Sequence, residues 1–279
     1  MSDGPAAAVP PGAWRGGQVG LRARCVLAPN PGPMTLDGTN TWVLLEPGSS
    51  EAVVVDPGPD DGPHLRAVLA VVEGLGAHVT TTLLTHGHLD HSAGAARFSR
   101  LSGAPVRALD PAQRLGDEGL SDGDSVSVGG LDVQVVATPG HTSDSLSFLI
   151  PADGAVLTGD TVLGRGTTVV AHPDGRLDDY LESLGRLREL AAGGSVSTVL
   201  PGHGPSLLDA ERAIEGYLAH RAERLRQVQA AVLAGARTPR EVVETVYADV
   251  DPSLWPAAEL SVRAQLDYLR EDGDAPSLS

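Results

Sequence analysis

Hydrophobic and polar positions along the chain follow two periods in turn. Apolar, β-rich runs at 19–28 (VGLRARCVLA), 41–45 (TWVLL) and 52–58 (AVVVDPG) predict early strands, the last stopped by Pro57-Gly58. Residues 62–76 have helical spacing, with Leu65, Val68, Leu69 and Val72 on one side. A buried-strand pattern follows at 79–85 (VTTTLLT), and 92–103 predicts a helix closed by Gly103. Strands are then predicted at PVRAL, SVSV, LDVQVVATPG, SLSFLI and AVLTGD, and their short Gly/Asp turns suggest a mostly antiparallel second sheet. A helix at 178–190 and a strand at 196–204 complete this mixed region.

Near Ser206 the character changes. One long amphipathic helix is predicted to about Gly235, followed by helical stretches at 238–250 and 254–270, with Thr238-Pro239 as N-cap and N1. The pattern therefore divides the chain into a loose N-terminus over 1–17, an α/β body over 18–205 and a helical C-terminal domain over 206–279.

Composition narrows the setting more than the chemistry. Apolar residues are 41% but aromatics only 3%, so Val, Leu and Ala must build the core. The formal charge is −16, and every basic residue is Arg. Such an acidic chain has no broad attraction for nucleic acid or anionic lipid, and no DNA-specific motif is present. The single cysteine, Cys25, allows no internal disulfide, which fits a reducing compartment. No apolar run approaches the roughly 18 residues of a spanning helix. The first residues lack the basic and apolar regions of a signal peptide. A cytoplasmic protein is expected.

The chemistry concentrates in THGHLDHSAG (85–94), where His86, His88, Asp90 and His91 fall within six positions. The period of an extended segment puts His86 and His88 on one side. Asp90 and His91 start the next helix and face back across the turn. So short a backbone cannot wrap one ion with four ligands, whereas two ions roughly 3.5–4 Å apart can share the cluster if other loops contribute. Three such loops follow strand ends: ATPGHTSDS with His141, LTGDT with Asp160, and LPGHG with His203. Imidazole and carboxylate suit Zn²⁺, Mn²⁺ or Fe. His64, His78 and His220 read as surface residues. His172, before Pro173, reads either as structural or as lining the substrate pocket.

The pattern His86-Gly-His88-Leu-Asp90-His91, with His141, Asp160 and His203, resembles the metallo-β-lactamase superfamily over roughly residues 20–205. The resemblance implies an α/β fold, an αββα four-layer sandwich with metals along one edge. It also implies one Zn²⁺ on His86, His88 and His141, a second on Asp90, His91 and His203, and Asp160 bridging both. A hydroxide between two such ions forms near neutral pH and serves as nucleophile. Asp90 is expected both to ligate and to accept the nucleophile's proton.

Asp160 and the missing export signal disfavour antibiotic hydrolysis. Within the superfamily, PNPGPMTLDGTNTWVLL (29–45) is similar to the N-terminal strand of the beta-lactamase-like protein 2 group. YLAHRAERLRQV and TPREVVETVYADV are similar to that group's small winged-helix-like domain. That resemblance implies an endoribonuclease on single-stranded RNA. The competing expectation is a thioesterase or lactonase of the glyoxalase II-like type on a small acyl substrate. A mononuclear iron oxygenase is a third. Thr39 and Asn40 are expected on a loop facing the metals. Arg165 is expected either to meet a substrate phosphate or carboxylate or to pair with Asp178 or Asp179. Arg221, Arg224 and Arg226 read as a solvated helix face.

Overall fold

The computed structural model describes residues 14–271, so most of the N-terminus expected to be loose lies outside it. Strands β1 (Gly17–Val19), β2 (Ala23–Leu27), β3 (Asn40–Leu45), β4 (Glu51–Val55), β5 (His78–Leu83) and β6 (Val106–Arg107) form one sheet in that spatial order. The first four are antiparallel neighbours, and β4, β5 and β6 run parallel. Parallel neighbours need crossovers, supplied by helix α1 (Gly62–Gly74) and by α2 (Leu89–Ser92) with α3 (Ala95–Ser102). The second sheet contains β7 (Ser125–Val128), β8 (Leu131–Ala137), β9 (Leu146–Ile150), β10 (Ala155–Gly159) and β11 (Thr198–Pro201). It is antiparallel except for β10–β11, which α4 (Leu177–Ala192) joins.

Alternation along the strands builds the layers. On β3, Trp42 and Leu44 face β7–β10, where Val133, Phe148 and Leu157 complete the core between the sheets. The intervening Val43 joins Val54 beneath Leu65, Val68 and Val72 of α1 and Phe98 of α3. Likewise Leu149 and Val156 turn outward to meet Tyr180, Leu184 and Leu187 of α4. Two sheets between helices make the expected αββα sandwich.

Three local predictions change. The run 19–28 is two strands rather than one, because Gly20 turns at φ +64° and Asp153 Oδ2 accepts from Leu21 N and Arg22 N (3.0 and 2.9 Å). The predicted helix 92–103 breaks into α2 and α3 around Gly94. A Cβ on Gly94 would stand 2.8 Å from Pro59 O and 2.9 Å from Gly58 O. PVRAL pairs with β5, in the first sheet rather than the second.

The tail comprises α5 (Ala210–Leu233), α6 (Pro239–Val246) and α7 (Trp255–Glu271). Thr238 caps α6, its side chain accepting from Glu241 N at 3.2 Å. Ile214 and Tyr217 of α5 pack in the α4 cluster, whereas Val228 and Val232 join Val242, Val243, Val262 and Leu266 in a core of the tail's own. One helix thereby belongs to both cores and fixes the tail on the body. Among the described residues, no helix is long and apolar enough to cross a membrane.

Candidate metal centre

The ligand candidates leave the sheets at one edge, His86 and His88 beyond β5, His141 beyond β8, Asp160 beyond β10 and His203 beyond β11. Short strands fix where each loop begins, and the loops need little length to converge. His86, His88 and His141 offer three nitrogens within metal-ligand reach of one another. Asp90, His91 and His203 form a second such group, and His86, His91 and Asp160 a third that links them.

The distances are those of atoms aimed at a common centre. His141 Nε2 is 3.0 Å from His88 Nδ1, and His91 Nε2 is 3.2 Å from His203 Nε2. Asp160 stands between the groups, with Oδ1 3.4 Å from both His91 and His203 Nε2 and Oδ2 3.7 Å from His141 Nε2. Asp90 Oδ2 lies 3.1 Å from His203 Nε2. His86 Nε2 and Asp160 Oδ1 are buried without a hydrogen-bond partner, which costs roughly 1–3 kcal/mol for a polar group left so. Buried orphan donors and acceptors in a nitrogen–oxygen set fit divalent cations.

A second layer of contacts aims the rings. His91 Nδ1 meets Asp56 Oδ2 at 2.8 Å, His141 Nδ1 meets Val169 O at 2.5 Å, and His203 Nδ1 meets Gly38 O at 3.2 Å. Each contact occupies Nδ1 and leaves Nε2 facing inward, the atom that would serve as the ligand. Asp56 also accepts from Thr85 N (2.8 Å) and Thr85 Oγ1 (2.6 Å), and that hydroxyl is 3.0 Å from His86 Nδ1. The motif reading missed Asp56. Its signal was an acid closing the apolar run AVVVD, where a buried carboxylate needs partners.

Charge is distributed unevenly. Burial pushes His141 down to about 4 and, with its histidine neighbours, holds His86 well below the usual range. Burial also opposes the charged form of His91 and His203, but Asp160, joined by Asp56 at His91, overcomes it. His91 is held well above its ordinary value and His203 is raised to about 9. Burial acts to raise Asp90, yet the His203 hydrogen bond and nearby His91 bring it to about 2. The Asp90–Asp160 side of the cluster therefore favours positive charge, as a cation site must.

Glycine is required at two ligand turns. A Cβ on Gly202 would lie 2.6 Å from Asp160 Oδ1 and 2.7 Å from His91 Cε1. Gly140, at φ +126°, has the Tyr180 backbone 2.3 Å from its Cβ position.

The other candidates separate. Asn40 is buried and tied to the His203 turn, donating to Pro201 O (2.9 Å) and Gly204 O (2.8 Å), while its Oδ1 accepts from Trp14 Nε1. Thr39 is buried, bridges His203 through its backbone and accepts from Asn30 Nδ2 at 3.0 Å. Both position the ligand loop from behind. Arg165 pairs with Asp37, neither Asp178 nor Asp179. His172 belongs to none of the three ligand groups, its Nε2 lying 3.0 Å from Asp267 on α7. His64 is not a surface residue: it is buried, with Nε2 2.9 Å from Thr41 Oγ1. His78 is exposed, and His220 is half-buried.

Arg221 departs furthest from expectation. It is 3% exposed, lies 4.9 Å over the Tyr180 ring and donates to Thr168 O at 2.5 Å. Tyr180 donates to Thr161 O (2.7 Å), Tyr217 accepts from Leu163 N (2.8 Å), and Thr168 Oγ1 bonds Asp160 O. Helices α4 and α5 thus hold the loop carrying Asp160, and packing against α4 takes Arg221 out of water. Arg226 stays exposed and pairs with Glu223.

Between the body and the tail lies a cavity of about 310 Å³ onto which His141 and Asp160 open. Leu36, Leu163, Val169, Val250, Leu254 and Ala258 make its walls chiefly apolar. His220, Arg221 and Arg224 also line it. A second opening, beside His88, is polar and acidic, with Asp110, Asp144 and Asp174 around it.

Comparison with known proteins agrees with this architecture. Residues 34–203 match the model of the metallo-beta-lactamase superfamily, and 238–277 match the beta-lactamase associated winged helix domain. The chain is 32% identical to a beta-lactamase-like protein 2 homolog of Caenorhabditis elegans, over 89% of this chain and 84% of that one. It is also 32% identical to an atrochrysone carboxyl ACP thioesterase of Aspergillus fumigatus, over 80% and 72% of the two chains. The fold superposes on a beta-lactamase domain protein from Burkholderia ambifaria with a TM-score of 0.78 at 23% identity, covering 98% of this chain and 92% of the other.

Proposed function

The chain belongs to the metallo-β-lactamase superfamily and carries its associated winged-helix domain, and from that premise we propose a binuclear, zinc-dependent hydrolase of acyl thioesters or esters. The observation that carries this reading is a seven-residue ligand cluster opening, through His141 and Asp160, into a mainly apolar cavity. His86, His88 and His141 would hold one ion, Asp90, His91 and His203 the other, and Asp160 would touch both. When bound, the ions supply an activated water as nucleophile and a Lewis acid for the scissile carbonyl.

The protein's residues do the rest. The Asp90 side chain is 30% exposed, against 12% for Asp160 and 1% for His203. It is therefore placed to orient the attacking water and take its proton. As the new C–O bond forms and the C–S or C–O bond to the leaving group breaks, that proton passes to the departing sulfur or oxygen. The cavity walls exclude bulk water from the acyl side, while the polar opening beside His88 faces the leaving group. Cys25 takes no part, since burial pushes its thiol far above the ordinary range.

A thioesterase-named relative supports an acyl substrate. Single-stranded RNA, the other class implied by the resemblance, meets an unfavourable surface. The net charge is −16, three aspartates surround the His88 opening, and Arg221 is buried rather than on the surface. One panel on metal-quantified protein decides the matter: acyl thioesters, lactones and single-stranded RNA, with His88→Ala as control. About two zinc ions per chain and thioester turnover lost in H88A are expected. RNA cleavage that H88A abolishes, without acyl turnover, moves the assignment to a nuclease. About one iron per chain with oxygen uptake removes the hydrolase reading altogether.

A further inference from the structure

The cavity between body and tail carries more than its apolar character. An apolar cavity of about 150 Å³ holds one benzene, so a space twice as large accepts roughly two fused rings; this one measures about 310 Å³. In a chain of charge −16, three arginines line it. Arg165 pairs with Asp37, and the buried Arg221 donates Nη2 to Thr168 O while its Nε has no partner. Arg224 is only half-buried. Its Nη1 donates to Gln227 Oε1 (2.9 Å) and Val246 O (2.8 Å), and its guanidinium lies 4.6 Å over the Tyr247 ring. Its Nε and Nη2 make no hydrogen bond among the described residues. A guanidinium held flat on an aromatic ring, with donors to spare on a chiefly apolar wall, selects an oxygen acceptor.

Resting on the acyl-hydrolase reading, we propose that this cavity receives the acyl part of the substrate: a rigid apolar group of about two rings bearing an oxygen acceptor for Arg224. The acyl part is assigned here, and the leaving group to the other opening, for two reasons. His141 and Asp160 line this cavity, so a carbonyl at the metals points its apolar substituent into it. The opening beside His88 offers acids and Gln113, which suit a hydrated leaving group and not a ring system. The tail supplies Tyr247, Val250, Leu254, Ala257 and Ala258, so the winged-helix domain acts as the specificity wall of the site.

The test uses the metal-loaded full chain and N-acetylcysteamine thioesters of acetate, 2-naphthoate and 6-hydroxy-2-naphthoate, each rate divided by its uncatalysed hydrolysis. The hydroxynaphthoyl ester should exceed acetyl in kcat/KM by at least about tenfold, since burying roughly 60 Å² more apolar surface already yields that factor. Ala257→Trp should bring that ratio towards one by filling the cavity. Arg224→Leu should lower the hydroxynaphthoyl rate about fivefold relative to naphthoyl. Ratios within one preparation cancel any loss of folded or metal-loaded protein. No preference in the parent, a preference that survives A257W, or equal loss on both naphthoyl esters in R224L overturns the proposal. Should no thioester be turned over, the thioesterase reading fails, and calorimetric titration with 6-hydroxy-2-naphthoate judges the cavity by itself. Binding that A257W abolishes upholds it, and no binding by the parent ends it.

Discussion

Asp56→Asn separates the aiming of the ligands from the ligands themselves. Asp56 Oδ1 accepts from Thr85 N, while Oδ2 receives Thr85 Oγ1 and faces His91 Nδ1 at 2.8 Å. Asn keeps the shape, and it tolerates the φ of +51° at this position better than most residues. Its amide oxygen must stay on Thr85 N, because the flipped rotamer would set two donors against each other. The NH₂ then replaces Oδ2 and points at His91 Nδ1. That nitrogen must become an acceptor, so the His91 proton moves to Nε2, the atom turned toward His203 and Asp160. Binding a cation at Asp90, His91 and His203 then requires reversing a tautomer against a buried donor. Loss of such an outer contact lowers metal affinity 10- to 100-fold as a rule, about 1.4–2.7 kcal/mol. Competition with a chromogenic zinc chelator measures this directly, with stoichiometry read by elemental analysis. The affinity for one of two ions should fall, and the other should change less. Two ions bound at parental affinity would refute the role given to Asp56.

Gly202→Ala should reduce metal stoichiometry and activity while leaving the helical circular dichroism intact, because its Cβ would meet Asp160 Oδ1 and His91 Cε1 below 3 Å; full metal content would contradict this. Arg221→Met leaves Thr168 O without its donor and should lower stability by about 1–3 kcal/mol, read as a lower denaturation midpoint, with the hydrolytic rate falling as the Asp160 loop loosens. In metal-stripped protein His203 titrates near 9, above its ordinary 6.5, so the folded state holds a proton that the unfolded state releases. That stability is fully present below about 6.5 and is lost as pH rises towards 9, on the order of 1–3 kcal/mol. Thermal melts at pH 6.5 and 9 should show a fall in the stripped protein and a smaller one in the zinc-loaded protein; equal slopes would reject the linkage. Chelation itself should lower the melting temperature, because saturation at about 1,000 times Kd stabilises by roughly 4 kcal/mol; an unchanged melt would reject metal binding to the folded chain.

The candidate metal ligands were legible in the sequence because their chemistry is local. Two histidines one strand period apart, a carboxylate and histidine one turn later, and three Pro-Gly or Gly-Asp strand ends each advertise a ligand by residue type and spacing. Asp56 was not legible in this way, since it reaches His91 from 35 positions upstream and its burial depends on β4 meeting β5. Gly94 likewise shows a helix break only once the Pro59 carbonyl stands against it.

Hydrophobic periodicity predicted a body of mixed strands and helices and a helical tail, residue types placed the histidines and aspartates at strand ends, and the resemblance to the metallo-β-lactamase superfamily implied the αββα arrangement. Tertiary packing decided which polar residues leave water. Arg221, a solvated helix position by its charged neighbours, is buried because α5 lies across Tyr180 of α4. His64, an isolated histidine by sequence, is buried because α1 covers β3. Nor could spacing reveal the cavity, whose two walls belong to segments separated by as much as 228 positions, from Pro33 to Ser261. Periodicity records which face of an element avoids water. Which other element covers that face, and what space remains between them, is settled only when the chain closes on itself.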